Sequence, residues 1–375
     1  MNNLRVAFVS SCRSDYAKIR PYIRFFVARR IPVCLFLTSM HLNKDCAFTR
    51  QTFKKHFPKG VQFFWDEEFS PSSVMGMGHL LNTLPVFLRQ NKINFLFVHG
   101  DRPEALAAAL SAAFLRIPVC QIEAGDISGN IDESIRHAIT KLAHRFLTDD
   151  ELSRNLVLRL GENPSSVFVT GNLSLSMLPC AERQQEYLKK YALDSKPYVV
   201  VLYHPETGVL PRTQFKRAEE LLEHLAPLAV EILLLPPNND TGYEDIWRAF
   251  KQKEGKNIRC LPSLPSEEFL SVLNAAVCLV GNSSCGVKEA PLLGIPSVDI
   301  GERQQGRDTG REYPYLRKVK NAEQAAKWVK FFLENPPNRA KRTLSKNLFD
   351  KYLETILTPE FFKPQLQKKF YFSED

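Results

Sequence analysis

Residues 94–125 read NFLFVHGDRPEALAAALSAAFLRIPVCQIEAG. An apolar run at 94–100 stops at a glycine, an alanine-rich stretch with helical spacing fills 103–116, and a second apolar run at 118–125 stops at another glycine. Apolar runs without polar alternation are strands buried on both faces, which a parallel sheet lying between helices requires. Strand, helix and strand within about 30 residues make a βαβ unit. The same rhythm extends in both directions. Before the unit stand RVAFVSSC (5–12), KIRPYIRFFVARR (18–30) and PVCLFLTS (32–39), and after it DESIRHAITKLAHRFL (132–147) and VFVTGN (167–172). The pattern predicts a doubly wound α/β domain over residues 1–172.

A polar, weakly patterned segment covers 173–196, and then the rhythm restarts. PYVVVLYHP (197–205), a helical pattern at 215–229, EILLLPPN (231–238), IRCLPS (258–263), EEFLSVLNAAV (267–277), CLVGNSS (278–284) and PSVDIG (296–301) predict a second such domain over 173–345. Helical patterns at 321–335 and 340–356 and an aromatic tail close the chain; residues 346–375 are expected to form a terminal helix and tail. A length of 375 residues suits two domains.

Composition narrows the classes. No uncharged apolar run is long enough to span a bilayer, and the chain enters an apolar strand without a basic, signal-like start, so a cytoplasmic protein without membrane contact is expected. Eight cysteines are scattered, mostly inside apolar runs, with no CxxC, as reduced buried thiols would be. The formal net charge is +9, and residues 302–375 hold 16 Lys and Arg against 10 Asp and Glu. These cations alternate with apolar residues at helical spacing, the pattern of a solvated face, and no aromatic platform accompanies them; a nucleic-acid partner is not expected. Neither a Walker loop nor an HExxH motif is present, and GMGHLL (76–81) lacks a strand before it, so no dinucleotide fingerprint, metal or organic cofactor is expected.

Ligands of open α/β sheets bind beyond the carboxyl ends of the strands, so two such sheets facing one another would define a cleft lined by the residues after each strand. After the first strand, Arg13 and Ser14 lie where the chain turns into a helix, a place suited to an anion, although Ser14 or Asp15 as a plain helix cap explains the pattern equally well. Asp101 and Arg102 follow the strand at 94–100, Glu123 and Asp126 follow the next, and Asp132 opens the following helix. Asp132 with Arg136, and Glu133 with His137, are spaced one helical turn apart, so local salt links are the plain alternative for these residues. Caps do not explain the accumulation of Asp101, Glu123 and Asp132 on one predicted edge; clustered carboxylates are typical of proton-transfer sites. In the second half His204 ends an apolar run, Asn238 ends the next, and VGNSSCGVKE (280–289) forms a third corner. There Ser283, Ser284 and Gly286 could present hydroxyls and N–H groups to a pyrophosphate at a helix N-terminus, with Glu289 one to two turns on for a ribose diol and Arg303 closing over the nucleotide.

HGDRPEALAAALSAA (99–113), IEAGDISGNIDESIRHAITKLAH (122–144), PPNNDTG (236–242) and GNSSCGVKEAPLLGIPSVDIGERQQGR (281–307) together closely resemble the hydrolysing branch of the UDP-N-acetylglucosamine 2-epimerase family. The resemblance implies two Rossmann-like domains in the glycosyltransferase-B arrangement, with a C-terminal helix returning to the first. It assigns Arg13, Asn238, Ser283, Ser284, Glu289 and Arg303 to the UDP part, Arg102 and His204 to further ligand contacts, and Asp101, Glu123 and Asp132 to catalysis. Ser14, Arg136, His137 and Gly286 complete the candidate binding set, and His204 stands with the catalytic candidates. NIDESIRH (130–137) replaces the PEE signature of the non-hydrolysing branch. The implied reaction is anti elimination of UDP followed by hydration to free N-acetylmannosamine, in sialic-acid synthesis, by a homodimer or tetramer. The rival expectations are a 2,4-diacetamido nucleotide sugar as substrate, a non-hydrolysing epimerase, a glycosyltransferase of the same fold, and a nucleotide-sugar sensor without turnover.

Overall fold

The structure is a computed structural model that describes residues 3–42, 50–66, 74–128, 131–206, 209–238, 242–304, 307, 313–337 and 346–371. The chain divides into two compact units, residues 1–176 with 345–375, and residues 177–344.

Unit 1 runs β1 (Val6–Ser10), α1 (Arg13–Ala28), β2 (Val33–Leu37), α2 (Arg50–His56), β3 (Val61–Trp65), α3 (Val74–Gln90), β4 (Phe95–His99), α4 (Pro103–Phe114), β5 (Val119–Ile122), α5 (Ile131–Leu142), β6 (Arg145–Thr148), α6 (Glu151–Arg159) and β7 (Val167–Val169). Unit 2 runs α7 (Ala181–Lys190), β8 (Tyr198–Leu202), α8 (Pro211–Leu225), β9 (Glu231–Leu234), α9 (Tyr243–Gln252), β10 (Ile258–Cys260), α10 (Ser266–Ala275), β11 (Leu279–Gly281), α11 (Glu289–Leu293), β12 (Ser297–Ile300), β13 (Leu316–Val319) and α12 (Ala322–Glu334). The last helix, α13 (Lys346–Ile356), belongs to unit 1.

Every strand pair is parallel. The sheet orders are β3-β2-β1-β4-β5-β6-β7 and β10-β9-β8-β11-β12-β13. Each order reverses once, between β1 and β4 in unit 1 and between β8 and β11 in unit 2, and it is at such reversals that doubly wound sheets open a crevice for ligands. Both units are therefore parallel-sheet α/β domains, as the continuous apolar runs predicted. The two faces of the first sheet bury separate apolar clusters. One holds Phe8, Phe26, Phe95 and Phe97, the other Val98, Ala108, Ile139 and Phe146.

The C-terminal segment completes the first of these clusters. Leu353, Leu357 and Phe361 are buried in it, and the Phe361 ring lies 5.7 Å from that of Phe95. Lys368 Nζ sits 2.7 Å from a Glu162 carboxylate oxygen, and the Tyr371 N–H donates to the Gly161 carbonyl at 2.9 Å. Two glycines are sterically obligatory near the strand tips. A Cβ at Gly125 would lie 2.1 Å from the Ser153 carbonyl oxygen, and one at Gly281 would lie 2.1 Å from that of Leu202.

Two local readings change. The segment 173–196 contains α7, a helix too polar to show periodicity, with Leu188 as its buried residue. A strand, β3, does precede GMGHLL (76–81), but the motif lies inside α3, where its glycines are helical and do not form a phosphate loop.

Candidate active site

At the carboxyl edge of unit 1, the turn after β1 is tied by Asp15. Its buried carboxylate accepts hydrogen bonds from the N–H groups of Ser11 and Cys12, both at 2.8 Å, and from the Ser11 hydroxyl at 3.0 Å. Burial pushes this carboxyl up, but the nearby His41 and His99 imidazoles and the bonds from Cys12 and Ser11 outweigh it and hold Asp15 below the ordinary carboxylate value. Asp15 thus caps the helix, Ser14 is exposed with its hydroxyl 2.9 Å from Cys12 Sγ, and the side chain of Arg13 lies outside the described residues.

The next two tips carry the acids. Gly100, at φ +74°, turns the chain after β4 and places Asp101 and Arg102 just before α4. Arg102 Nε donates to Glu104 at 3.3 Å, and Glu104, almost fully buried, also accepts from the Ser39 hydroxyl at 2.6 Å. After β5, Glu123 adopts φ +57°, a left-handed conformation that costs a residue with a Cβ about 1–2 kcal/mol. Its carboxylate lies 2.8 Å from Lys18 Nζ and 3.4 Å from His99 Nε2.

Asp132 stands half-buried in the first turn of α5, and one turn on comes Arg136, 1% exposed and, among the described residues, the largest fully buried side chain. Arg136 does not take the local partner that its spacing offers. Its guanidinium reaches off the helix to Asp101, donates to the Asp126 carbonyl at 2.6 Å, and lies 3.9 Å from the Asp126 carboxylate. The other local pair does form: His137 Nε2 lies 3.5 Å from Glu133, whose carboxylate also accepts from the Ser128 N–H at 3.0 Å. Asp101 and Glu123, on adjacent strand tips, are therefore each met by a cation. Lys18 and His99 are not singled out as site residues by the sequence reading. For His99 the signal was present, because a histidine closing an apolar strand is the same feature that pointed to His204.

At the carboxyl edge of unit 2 the organiser is Asn282, fully buried after β11. Its side chain accepts from the His204 N–H at 2.6 Å and donates to the His204 carbonyl at 2.9 Å, joining the ends of β8 and β11. Its carbonyl accepts from Arg303 Nη1 at 3.1 Å and Gln304 Nε2 at 2.8 Å. His204 Nδ1 accepts from the Asn238 N–H at 3.0 Å, which leaves the ring proton on Nε2. Burial, then the Arg303 cation, push His204 well below the ordinary histidine value. His204 is therefore a neutral, fixed hydrogen-bond donor, and a proton-carrying role near neutral pH does not suit it.

The corner at 280–289 departs from the expected helix N-terminus. A 3-10 turn (Ser284–Gly286) comes first, and α11 begins only at Glu289, so Glu289 opens that helix and does not lie one to two turns inside it. Pro291 supplies the reason: it has no N–H, so a continuous helix from Ser284 would lose a bond at this position. The N–H of Cys285 is taken by the Ser283 hydroxyl at 3.3 Å and that of Gly286 by the Ser283 carbonyl at 3.0 Å. Gly286 thus has no N–H to offer a phosphate. Among the described residues, the N–H and hydroxyl of half-buried Ser284 have no protein partner. Glu289 is buried at the start of α11. Behind Arg303, Asp299 is buried in β12 with one carboxylate oxygen unbonded, and burial raises it to about 7.

The family model of UDP-N-acetylglucosamine 2-epimerases matches residues 27–349. A UDP-N-acetylglucosamine 2-epimerase of Neisseria meningitidis serogroup B is 29% identical over 383 residues, covering 98% of each chain. Polysialic acid biosynthesis protein P7 of Escherichia coli is 31% identical, covering 85% of this chain and 84% of its own. The fold is also that of a Methanocaldococcus jannaschii UDP-GlcNAc 2-epimerase solved with UDP-GlcNAc and UDP, at TM-score 0.76 and 20% identity, covering 94% of this chain and 99% of that one. With a family match across most of its length and a sheet order that reverses at the strand tips carrying these side chains, the chain belongs to the UDP-N-acetylglucosamine 2-epimerase family.

Proposed function

We propose that the protein is a hydrolysing UDP-N-acetylglucosamine 2-epimerase that converts UDP-GlcNAc and water to N-acetylmannosamine and UDP, as a supplier of sialic-acid synthesis. The observation that carries the reading is the pairing of the strand-tip carboxylates with cations, Asp101 with Arg136 and Glu123 with Lys18, which sets two candidate proton-transfer groups side by side at the carboxyl edge of one sheet. Support for the hydrolysing branch comes from the segment around Asp132, where the PEE signature of the other branch is absent.

In the first step the C2 proton moves to a carboxylate while the C1–O bond breaks and its electron pair leaves with UDP, forming the C1–C2 double bond. In the second, water adds its oxygen to C1 and gives up a proton to one carboxylate, and C2 takes a proton from a protonated carboxylate on the opposite face. Asp101 is assigned to proton transfer at C2, and Glu123 and Asp132 to the hydration step. The C2 hydrogen is barely acidic in the intact sugar, so positive charge must develop at C1 as UDP departs, and nearby carboxylates stabilise it. The leaving UDP is an anion. Ser284, the His204 Nε2–H and Arg303 are assigned to its phosphates, Asn238 and Ser283 to shaping that pocket, and Glu289 to the ribose hydroxyls.

The test is product identity. Incubation with UDP-GlcNAc, followed by proton NMR, should yield free N-acetylmannosamine and UDP in equal amounts. An epimerised sugar still attached to UDP would refute hydrolysis, and turnover only of a 2,4-diacetamido nucleotide sugar would reassign the substrate.

A further inference from the structure

Gln121 is out of place by its surroundings. It lies in the middle of β5, fully buried, between Val98 on one neighbouring strand and Phe146 on the other, on a sheet face that is otherwise an apolar cluster. A primary amide persists there only if its hydrogen bonds are made. Its nitrogen and its oxygen each find a partner on a single helix. Gln121 Nε2 donates to the backbone carbonyl of Arg136 at 3.1 Å, and Gln121 Oε1 accepts from the hydroxyl of Thr140, also fully buried, at 2.7 Å.

The two partners are one turn apart on α5, and the first is the residue whose guanidinium holds Asp101 and the Asp126 carbonyl. The rest of that face of α5, Ile139 and the partly buried Ile135 and Leu142, is apolar and packs against the same cluster. Apolar contact fixes which face of a helix meets a sheet but only weakly fixes its position along or around its axis. Paired hydrogen bonds from one rigid strand position set both. A shift of the helix by a fraction of an ångström would carry the Arg136 guanidinium with it.

We propose that Gln121, with Thr140, is a positioning residue for the reaction: its amide pins α5 to β5 at the level of Arg136 and so fixes the guanidinium against Asp101. The pin rests on the reading of Asp101 as the proton-transfer residue only for its consequence in turnover; its effect on Asp101 itself is independent of any substrate.

Q121L is a fair probe because it leaves no orphan: the side chains are close in volume, and the Thr140 hydroxyl can turn to the Arg136 carbonyl, already 3.0 Å away. Two readouts are needed on the full chain. One is the chemical shift of the Asp101 carboxyl carbon by 13C NMR at a fixed neutral pH, identified by its loss in D101N. The other is kcat and KM for UDP-GlcNAc. In Q121L the Asp101 carboxyl signal should move from its wild-type position, kcat should fall by about 10-fold or more, and KM should change by less than about 2-fold. T140V should behave alike and T140S should retain wild-type values, with the Q121L/T140V pair no worse than either alone. An Asp101 carboxyl signal that superimposes on wild type in both Q121L and T140V overturns the proposal, whatever happens to thermal stability. A signal that moves while kcat does not upholds the positioning and instead refutes the catalytic role of Asp101.

Discussion

Asp299→Asn tests the electrostatics of unit 2 without touching a group assigned to substrate. Asp299 is 3% exposed, and its neighbours across the sheet are Gly281, which has no side chain, and Lys318. Arg303, Arg307 and Glu206 are the other charges facing it, and burial dominates, raising its carboxyl from 3.8 to about 7. The folded protein therefore binds a proton that the unfolded chain has already released, and stability must fall as pH rises from about 4 to about 7, then level off. At about 1.4 kcal/mol per unit, a rise from 3.8 to about 7 makes the full penalty on the order of 4 kcal/mol. Asn cannot ionise, so D299N should remove that slope. The assay is urea unfolding between about pH 4 and about pH 8 in a W65F background, where the remaining tryptophans, Trp247 and Trp328, both report on unit 2. The advantage of D299N over its parent should be small at pH 4 and grow to a few kcal/mol by pH 7. Parallel curves, or an advantage that shrinks as pH rises, would refute the reasoning.

Three further outcomes are expected. S284A removes the unpartnered hydroxyl at the unit 2 edge and should weaken UDP binding by about 2- to 10-fold by calorimetry, with unchanged affinity counting against its place at the phosphates. G281A drives a Cβ to within 2.1 Å of the Leu202 carbonyl oxygen and should cost unit 2 about 3 kcal/mol, measured as a lowered urea midpoint; a silent change would mean that the β8 and β11 ends separate freely. D101N should cut turnover at least about 100-fold while UDP affinity stays within about 2-fold, and retained turnover would remove Asp101 from the proton path.

The parts legible in the sequence were those governed by local pattern. Buried parallel strands announce themselves as unbroken apolar runs, and once the strands are placed their carboxyl edge follows, which is why Asp101, Glu123 and His204 could be put at strand ends without coordinates. Less was legible where the partner lies far along the chain. Helical spacing offers Arg136 the nearby Asp132, and nothing local reveals that it turns to Asp101, 35 positions away. The Ser283–Gly286 corner failed for a different reason. A strand-to-helix junction looks the same whether its N–H groups face outward or close a 3-10 turn, and only Pro291 hinted that the helix would begin late. Gln121 was invisible as a positioning residue because one polar letter in VCQI carries no record of which helix carbonyl it meets.

In the proposed reaction the sugar leaves the nucleotide by elimination and is rehydrated with inversion at C2. Its most direct test is turnover of UDP-GlcNAc in deuterated water, with the C2 position of the released sugar read by NMR. The proposal predicts free N-acetylmannosamine carrying one deuterium at C2, formed together with UDP. Release of a free sugar that keeps its original C2 hydrogen would contradict it.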